Sequence, residues 1–145
     1  MSGRKLSAGR VRAKVPLILV VDDYADNREM YSAYLRFQGL EVVEAANGTE
    51  ALEHAFARRP DLVVMDLSLP GVDGWQATRL LKADARTKDI PVIAVTGHAL
   101  AGAPERAADA GCDGFLTKPC LPEDLLQAIR RMLERPREGE HSKRR

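Results

Sequence analysis

Four short apolar runs in this chain each end on a residue capable of chemistry, and their order limits the possible folds more than any other feature. Leu17-Ile18-Leu19-Val20-Val21 leads into Asp22 and Asp23, and Leu62-Val63-Val64-Met65 ends at Asp66. Pro91-Val92-Ile93-Ala94-Val95 ends at Thr96, and Phe115-Leu116-Thr117 ends at Lys118, followed by Pro119. Continuous Val/Ile/Leu runs mark strands covered by helices on both faces, the usual state of a parallel sheet. Strand-like runs at about 17–21, 41–45, 61–66, 91–96 and 113–117 alternate with helical patterns along the chain. The alternation predicts an α/β fold, a doubly wound five-stranded parallel sheet of (βα)5 form with right-handed crossovers. Open sheets of this kind bind ligands at the carboxyl ends of their strands. Three carboxylates, a hydroxyl and an ammonium would meet there, a set suited to a divalent cation and a phosphoryl group.

The helical segments are marked by their ends and stripes. The first, near 26–38, is expected to turn Met30, Tyr34 and Phe37 inward and to stop at Gly39. The second, near 48–58, opens at Asn47-Gly48 with Ala51, Leu52 and Ala55 inward and closes at Arg58-Arg59-Pro60. The third, near 74–84, has Trp75, Thr78, Leu81 and Lys82 around a face that also holds Leu80. The fourth has Gly102 and Pro104 where its first turn should be, so it is expected to run only from about Pro104 to Gly111. The fifth, near 122–134, starts with Pro122 and the dipole-favoured Glu123 and Asp124, with Leu125, Ile129 and Met132-Leu133 as its stripe.

A chain of 145 residues, 45% apolar and 30% charged, has the size and composition of one soluble globular domain. No apolar run approaches the roughly 18 residues of a membrane span, and the basic N-terminus lacks a signal peptide's apolar segment. Cys112 and Cys120 have no metal-ligand spacing, which fits a reducing cytoplasmic setting and leaves a disulfide between them open. The net charge of +1 hides an asymmetry. Residues 1–14 carry five Lys/Arg and no acid, residues 135–145 five Lys/Arg and two Glu, and the stretch between them is net −7. The two ends, 1–15 and 135–145, read as basic disordered tails around a domain at 16–134. They are either solvated or in weak contact with an acidic partner, a membrane lipid or a nucleic acid.

Adjacent Asp22 and Asp23 after a buried strand repel one another, and a hard cation held by oxygen ligands resolves the conflict. The competing reading makes one a helix cap and leaves the other in solvent. Asp66 shifts the balance, because a third carboxylate at a strand end faces the same crevice and can attack a phosphoryl donor. The Leu69-Pro70-Gly71 turn would leave backbone carbonyls exposed for metal coordination. Lys118 can neutralise a transferring phosphoryl group, and a cis Lys118–Pro119 bond would aim it over the sheet edge. Thr96 offers a hydroxyl at that edge, or is simply a β-branched strand residue.

The stretch from about 16 to 134 resembles the receiver domain of two-component response regulators. The likeness rests on Val20-Val21-Asp22-Asp23, on the run from Met65 through Asp66 to Gly74, on Val95-Thr96-Gly97-His98-Ala99 and on Gly111 through Pro119. It implies a flavodoxin-like, CheY-like fold with Asp66 as the phosphorylation site. Mg²⁺ would be held by Asp23, Asp66 and the backbone carbonyl of Ser68, with Asp22 acting largely through water. Thr96 and Lys118 would bind the phosphoryl group, and Phe115 would be the switch aromatic that follows Thr96. Phe115 stands where many members of the family have Tyr, so a hydroxyl-dependent partner contact is not expected. Ser68 and His98 would tune phosphoryl lifetime; a phosphohistidine role for His98 is the weaker alternative. His54 and His141 read as surface and tail residues.

The resemblance implies a phospho-accepting switch rather than an enzyme. Its partners would be a histidine kinase or histidine phosphotransfer protein and a downstream protein that reads an α4-β5-α5 face. Residues after 134 are too few for an output domain, and nucleic acid is not an expected partner. The alternatives are a receiver cut from a hybrid histidine kinase, or a small Mg²⁺-dependent aspartyl-phosphate phosphatase. The latter would need a second acid for turnover and a substrate cap, and neither is evident in this sequence.

Overall fold

A computed structural model describes residues 14–67, 74–97 and 103–135. Ser68, the 69–71 turn, His98, Gly102, His141 and most of both basic tails lie outside the described residues. Ten elements alternate: β1 (Leu17–Val21), α1 (Ala25–Phe37), β2 (Glu41–Ala45), α2 (Gly48–Arg58), β3 (Leu62–Asp66), α3 (Gly74–Ala83), β4 (Val92–Thr96), α4 (Ala103–Ala110), β5 (Gly114–Thr117) and α5 (Pro122–Glu134). The strands form one parallel five-stranded sheet in the order β2-β1-β3-β4-β5. The chain steps outward from β1 to β2, then crosses back over β1 to β3. That reversal opens a crevice between the carboxyl ends of β1 and β3, where Asp22 and Asp66 stand.

Alternation along the strands divides the core into two layers. Ile18, Val20, Leu62, Val64 and Ile93 meet Tyr31 and Leu35 of α1 and Leu125 and Ile129 of α5. Leu19, Val21, Val63 and Met65 face Ala51 and Ala55 of α2, Ala77 and Leu81 of α3 and Ala107 of α4. The alanines let these helices lie close to the sheet. Asn47 caps α2 by accepting from the Glu50 N–H at 2.8 Å, while the Glu50 carboxylate reaches back past the cap to accept from the Ala46 N–H at 2.8 Å. Both cysteines are free thiols.

Two expected helix faces are corrected. On α1, Tyr34 packs against the core as expected, but Met30 is 42% and Phe37 85% exposed, and the buried stripe is Tyr31, Ser32 and Leu35. The reason is apolar packing: Tyr31 and Leu35 meet the residues of β1 and α5 in the core, and with this roll Arg28 and Arg36 both reach Glu44 on β2, at 3.1 and 3.3 Å. On α3, Leu80 is 44% exposed, while Gly74, Ala77, Thr78 and Leu81 face inward. Burial on both faces holds for β3 and β4 but not for the edge strands β2 and β5, most of whose residues are only partly covered.

Candidate functional site

The site is assembled from the ends of β1, β3, β4 and β5. Asp22 leaves β1 with its N–H bonded to the Ala45 carbonyl at 3.1 Å, an extension of the sheet ladder by one residue. Its Oδ1 accepts from the Tyr24 N–H at 2.9 Å, and its own carbonyl accepts from Arg28 Nη1 at 2.9 Å. The first turn of α1 and the Arg28–Glu44 pair therefore hold this carboxylate in place. Asp66 ends β3 and is 4% exposed, and the next residue stays in register through Leu67 N–H to Val95 carbonyl at 3.2 Å. Asp23, adjacent to Asp22, is exposed. Carboxylate oxygens of Asp22, Asp23 and Asp66 lie within 4.8 Å of one another.

One cation answers two of them. Lys118 Nζ lies 3.1 Å from Asp22 Oδ2 and 3.3 Å from Asp66 Oδ2. Its backbone N–H donates to the Thr96 carbonyl at 2.9 Å, which fixes the end of β5 against the end of β4, and the Lys118–Pro119 peptide is cis. Burial works against the ammonium's charge, but the Asp66 charge and the Asp22 hydrogen bond outweigh it, so Lys118 titrates above the ordinary lysine value. Thr96 is buried and pairs in register with Thr117. Phe115, paired with Ala94, is half-buried against the layer that contains Ala107 of α4. The structure thus brings Asp22, Asp23, Asp66 and Lys118 together, puts Thr96 on the same strand edge, and sets Phe115 three residues before the lysine on the α4 side of β5.

Three contributors were not evident in the sequence. Arg28 ties the Asp22 backbone to β2; a basic residue on the flank of α1 that also carries buried Ser32 was the available signal. Tyr31 donates its hydroxyl to the Cys120 carbonyl at 2.8 Å and so fastens α1 to the loop after Lys118. Gly74 begins α3 against the end of β3. A Cβ there would collide with the Asp66 carbonyl oxygen and lie 2.6 Å from Leu67 Cα, so a larger residue would displace the helix or the strand end that presents Asp66.

Three carboxylates around one ammonium leave the site rich in negative charge and in oxygen donors, a donor set that fits Mg²⁺. Residues 18–130 match the family model of the response regulator receiver domain. The chain belongs to that family. This receiver is 36% identical over 116 residues to the polar-differentiation response regulator DivK of Brucella anthropi, covering 80% of this chain and 94% of DivK. Among solved structures it is similar to the chemotaxis protein CheY4 of Vibrio cholerae, with a TM-score of 0.77, 30% identity and coverage of 81% and 98% of the two chains. It is also similar to the receiver domain of the sensor histidine kinase PA1611 from Pseudomonas aeruginosa, with a TM-score of 0.78, 34% identity and coverage of 84% and 100%. That domain was crystallised with a magnesium ion coordinated in its active site cleft. The receiver therefore belongs to two-component signalling, and its doubly wound sheet is the fold of this family. Among the described residues no helix is long and apolar enough to cross a membrane.

Proposed function

We propose that this receiver, spanning 16–134, accepts a phosphoryl group on Asp66 from a phosphohistidine of a histidine kinase or histidine phosphotransfer protein. The observation that carries this reading is the single ammonium of Lys118 set between Asp22 and Asp66 at 3.1 and 3.3 Å, beside a third carboxylate. A carboxylate oxygen of Asp66 forms the new bond to phosphorus. The phosphorus–nitrogen bond breaks, and its electron pair stays on the imidazole. Lys118 lies where it offsets charge on the phosphoryl oxygens, and the buried Thr96 hydroxyl is the donor for one of them. Asp22, Asp23 and Asp66, with the carbonyl of Ser68, would hold Mg²⁺. When bound, the ion supplies positive charge that offsets carboxylate repulsion and stabilises the phosphoryl oxygens.

The switch in this reading runs from Thr96 to Phe115. Movement of the Thr96 hydroxyl toward a phosphoryl oxygen frees space that Phe115 fills, which changes the α4-β5-α5 face offered to a downstream protein. The similarity to the PA1611 receiver supports a second setting, the receiver of a hybrid histidine kinase. Either setting uses the same chemistry. The test is labelling with a small-molecule phosphodonor, with and without Mg²⁺. A label labile to base and hydroxylamine, absent in Asp66→Asn and suppressed by excess chelator, is the expected result. Undiminished labelling of Asp66→Asn would overturn the assignment.

A further inference from the structure

Lys118 reaches Asp22 and Asp66 from just beyond β5, and two contacts of its backbone neighbourhood fix where that reach begins. Its own N–H donates to the Thr96 carbonyl at 2.9 Å. Two residues on, the Cys120 carbonyl accepts from the Tyr31 hydroxyl at 2.8 Å. Among the described residues, that is the one hydrogen bond joining residues 119–121 to an element other than α5. Leu121 precedes α5 without a side-chain cap and is 63% exposed, so it lends the loop little support. Pro119 stands between Lys118 and Cys120, and its ring fixes one backbone dihedral. A shift of the Cys120 carbonyl therefore passes back to Lys118 with little slack.

Tyr31 is anchored well enough to bear this load. It is 6% exposed and belongs to the core layer of Ile18, Val20 and Leu125. Burial pushes its hydroxyl above the ordinary tyrosine value, so the group stays a proton donor at neutral pH. One turn earlier on the same helix, Arg28 Nη1 donates to the Asp22 carbonyl at 2.9 Å, and the Tyr24 N–H at the helix start holds Asp22 Oδ1. Helix α1 thus grips both partners of the Asp22–Lys118 pair, and their 3.1 Å separation is set across one helical turn. A phenylalanine at position 31 would fill the same space, so packing alone does not call for the hydroxyl. We propose that Tyr31 is a positioning residue for phosphoryl transfer: its hydroxyl holds the loop behind Lys118 so that the ammonium meets the phosphoryl group at Asp66. Tyr31 touches no reacting atom, and the inference rests on the Asp66 reading given above.

The test is Tyr31→Phe, which removes one hydroxyl and keeps the ring. In the unphosphorylated protein, hydrogen exchange of the Lys118 amide should speed up by about fivefold, the scale of one hydrogen bond, while the β1 amides hold their rates. Labelling of Asp66 at saturating small-molecule phosphodonor should slow by about tenfold, because a displaced charge lowers the rate of the step. The donor concentration giving half the maximal rate should not change. In the Lys118→Met background the same substitution should cost no further rate, since the group it positions is gone. Leu35→Val, in the core farther along α1, should lower stability and leave the rate alone. Unchanged exchange at Lys118, an unchanged labelling rate, or equal slowing with and without Lys118 would each overturn the proposal. A parent protein that takes no label on Asp66 would sink the Asp66 reading and the role in transfer with it. The exchange measurement needs no label, so the two failures stay distinct.

Discussion

Lys82 and Lys118 are both half-buried lysines with side chains 20% exposed, yet they stand at opposite ends of the sheet in opposite circumstances. Lys82, at the end of α3, donates to the Ile90 carbonyl at 2.7 Å, the Lys88 carbonyl at 3.2 Å and Asp113 Oδ2 at 2.9 Å. Asp113 Oδ2 also accepts from the Val92 N–H at 2.8 Å, so this cluster ties α3, β4 and the start of β5 together with its charges matched one to one. Lys118 instead faces two buried carboxylates, with a third exposed beside them. Matched charge closes the amino edge. Excess negative charge at the carboxyl edge costs stability, and such a cost is expected where the residues serve chemistry rather than folding.

The largest expected effect separates the two lysines by rate. Lys118→Met should slow phosphorylation of Asp66 by about 10²–10³-fold, the size seen when one donor to a developing oxyanion is removed. Lys82→Met should leave the rate at the parent value. An equal loss in both variants would show that Lys118, too, acts only by holding the fold, and the comparison would fail.

Next in size is the response to metal. A site with surplus carboxylates gains stability when a cation binds the folded state alone, by about 2.7 kcal/mol at a concentration roughly 100 times the dissociation constant. Thermal unfolding with and without Mg²⁺ measures this directly. The shift should persist in Lys82→Met and largely vanish in Asp23→Asn, which keeps the fold but removes a charge. A shift of the same size in Asp23→Asn would place the ion elsewhere.

Without metal, Lys82→Met should destabilise the protein by about 2 kcal/mol, since it takes the ammonium donor from two carbonyls and leaves the Asp113 carboxylate with the Val92 N–H but no matching charge. Denaturant unfolding at fixed slope gives this value. A change well under that would mean that water replaces the ammonium readily and that the amino-edge cluster is not a structural tie.

The same contrast explains what the sequence disclosed. Strand ends and the residues on them were legible because β3 and β4 are buried on both faces and read as unbroken apolar runs, each ending on the residue it presents. The roll of α1 was not legible. Met30, Tyr34 and Phe37 form one apolar stripe, Tyr31 and Leu35 another, and the buried position between Tyr31 and Leu35 is a serine that makes the true stripe look weaker. The choice between them is made by packing against Ile18 and Val20 of β1 and Leu125 and Ile129 of α5, with Glu44 pairing to Arg28 and Arg36 beside it, partners that lie far off in the chain. Leu80 on α3 was misplaced in a similar way, because the side facing the sheet is carried by the small residues Gly74, Ala77 and Thr78. At the site, side chains at strand ends could be named in advance. The partners that orient them could not, since Arg28 and Tyr31 act through backbone carbonyls that no sequence pattern marks.

The smallest effect is the most direct reading of charge surplus. Asp23 is exposed, whereas Lys118 bonds to Asp22 and Asp66, so in metal-free buffer Asp23 adds repulsion to the cluster. Asp23→Asn should then stabilise the protein by about 0.5 kcal/mol, the scale of an exposed charge interaction, with the gain shrinking as salt is raised. Saturating Mg²⁺ should reverse the order, because the parent gains more from the ion than the variant does. Asp113→Asn at the other edge should behave differently. It removes a matched charge and weakens the hold on Lys82 and the Val92 N–H, so it should destabilise the protein with or without Mg²⁺. Unfolding curves for the two variants in chelator and in Mg²⁺ test both signs together. If Asp23→Asn destabilises the metal-free protein, the carboxylates are already balanced, and the surplus charge that distinguishes Lys118 from Lys82 is not there.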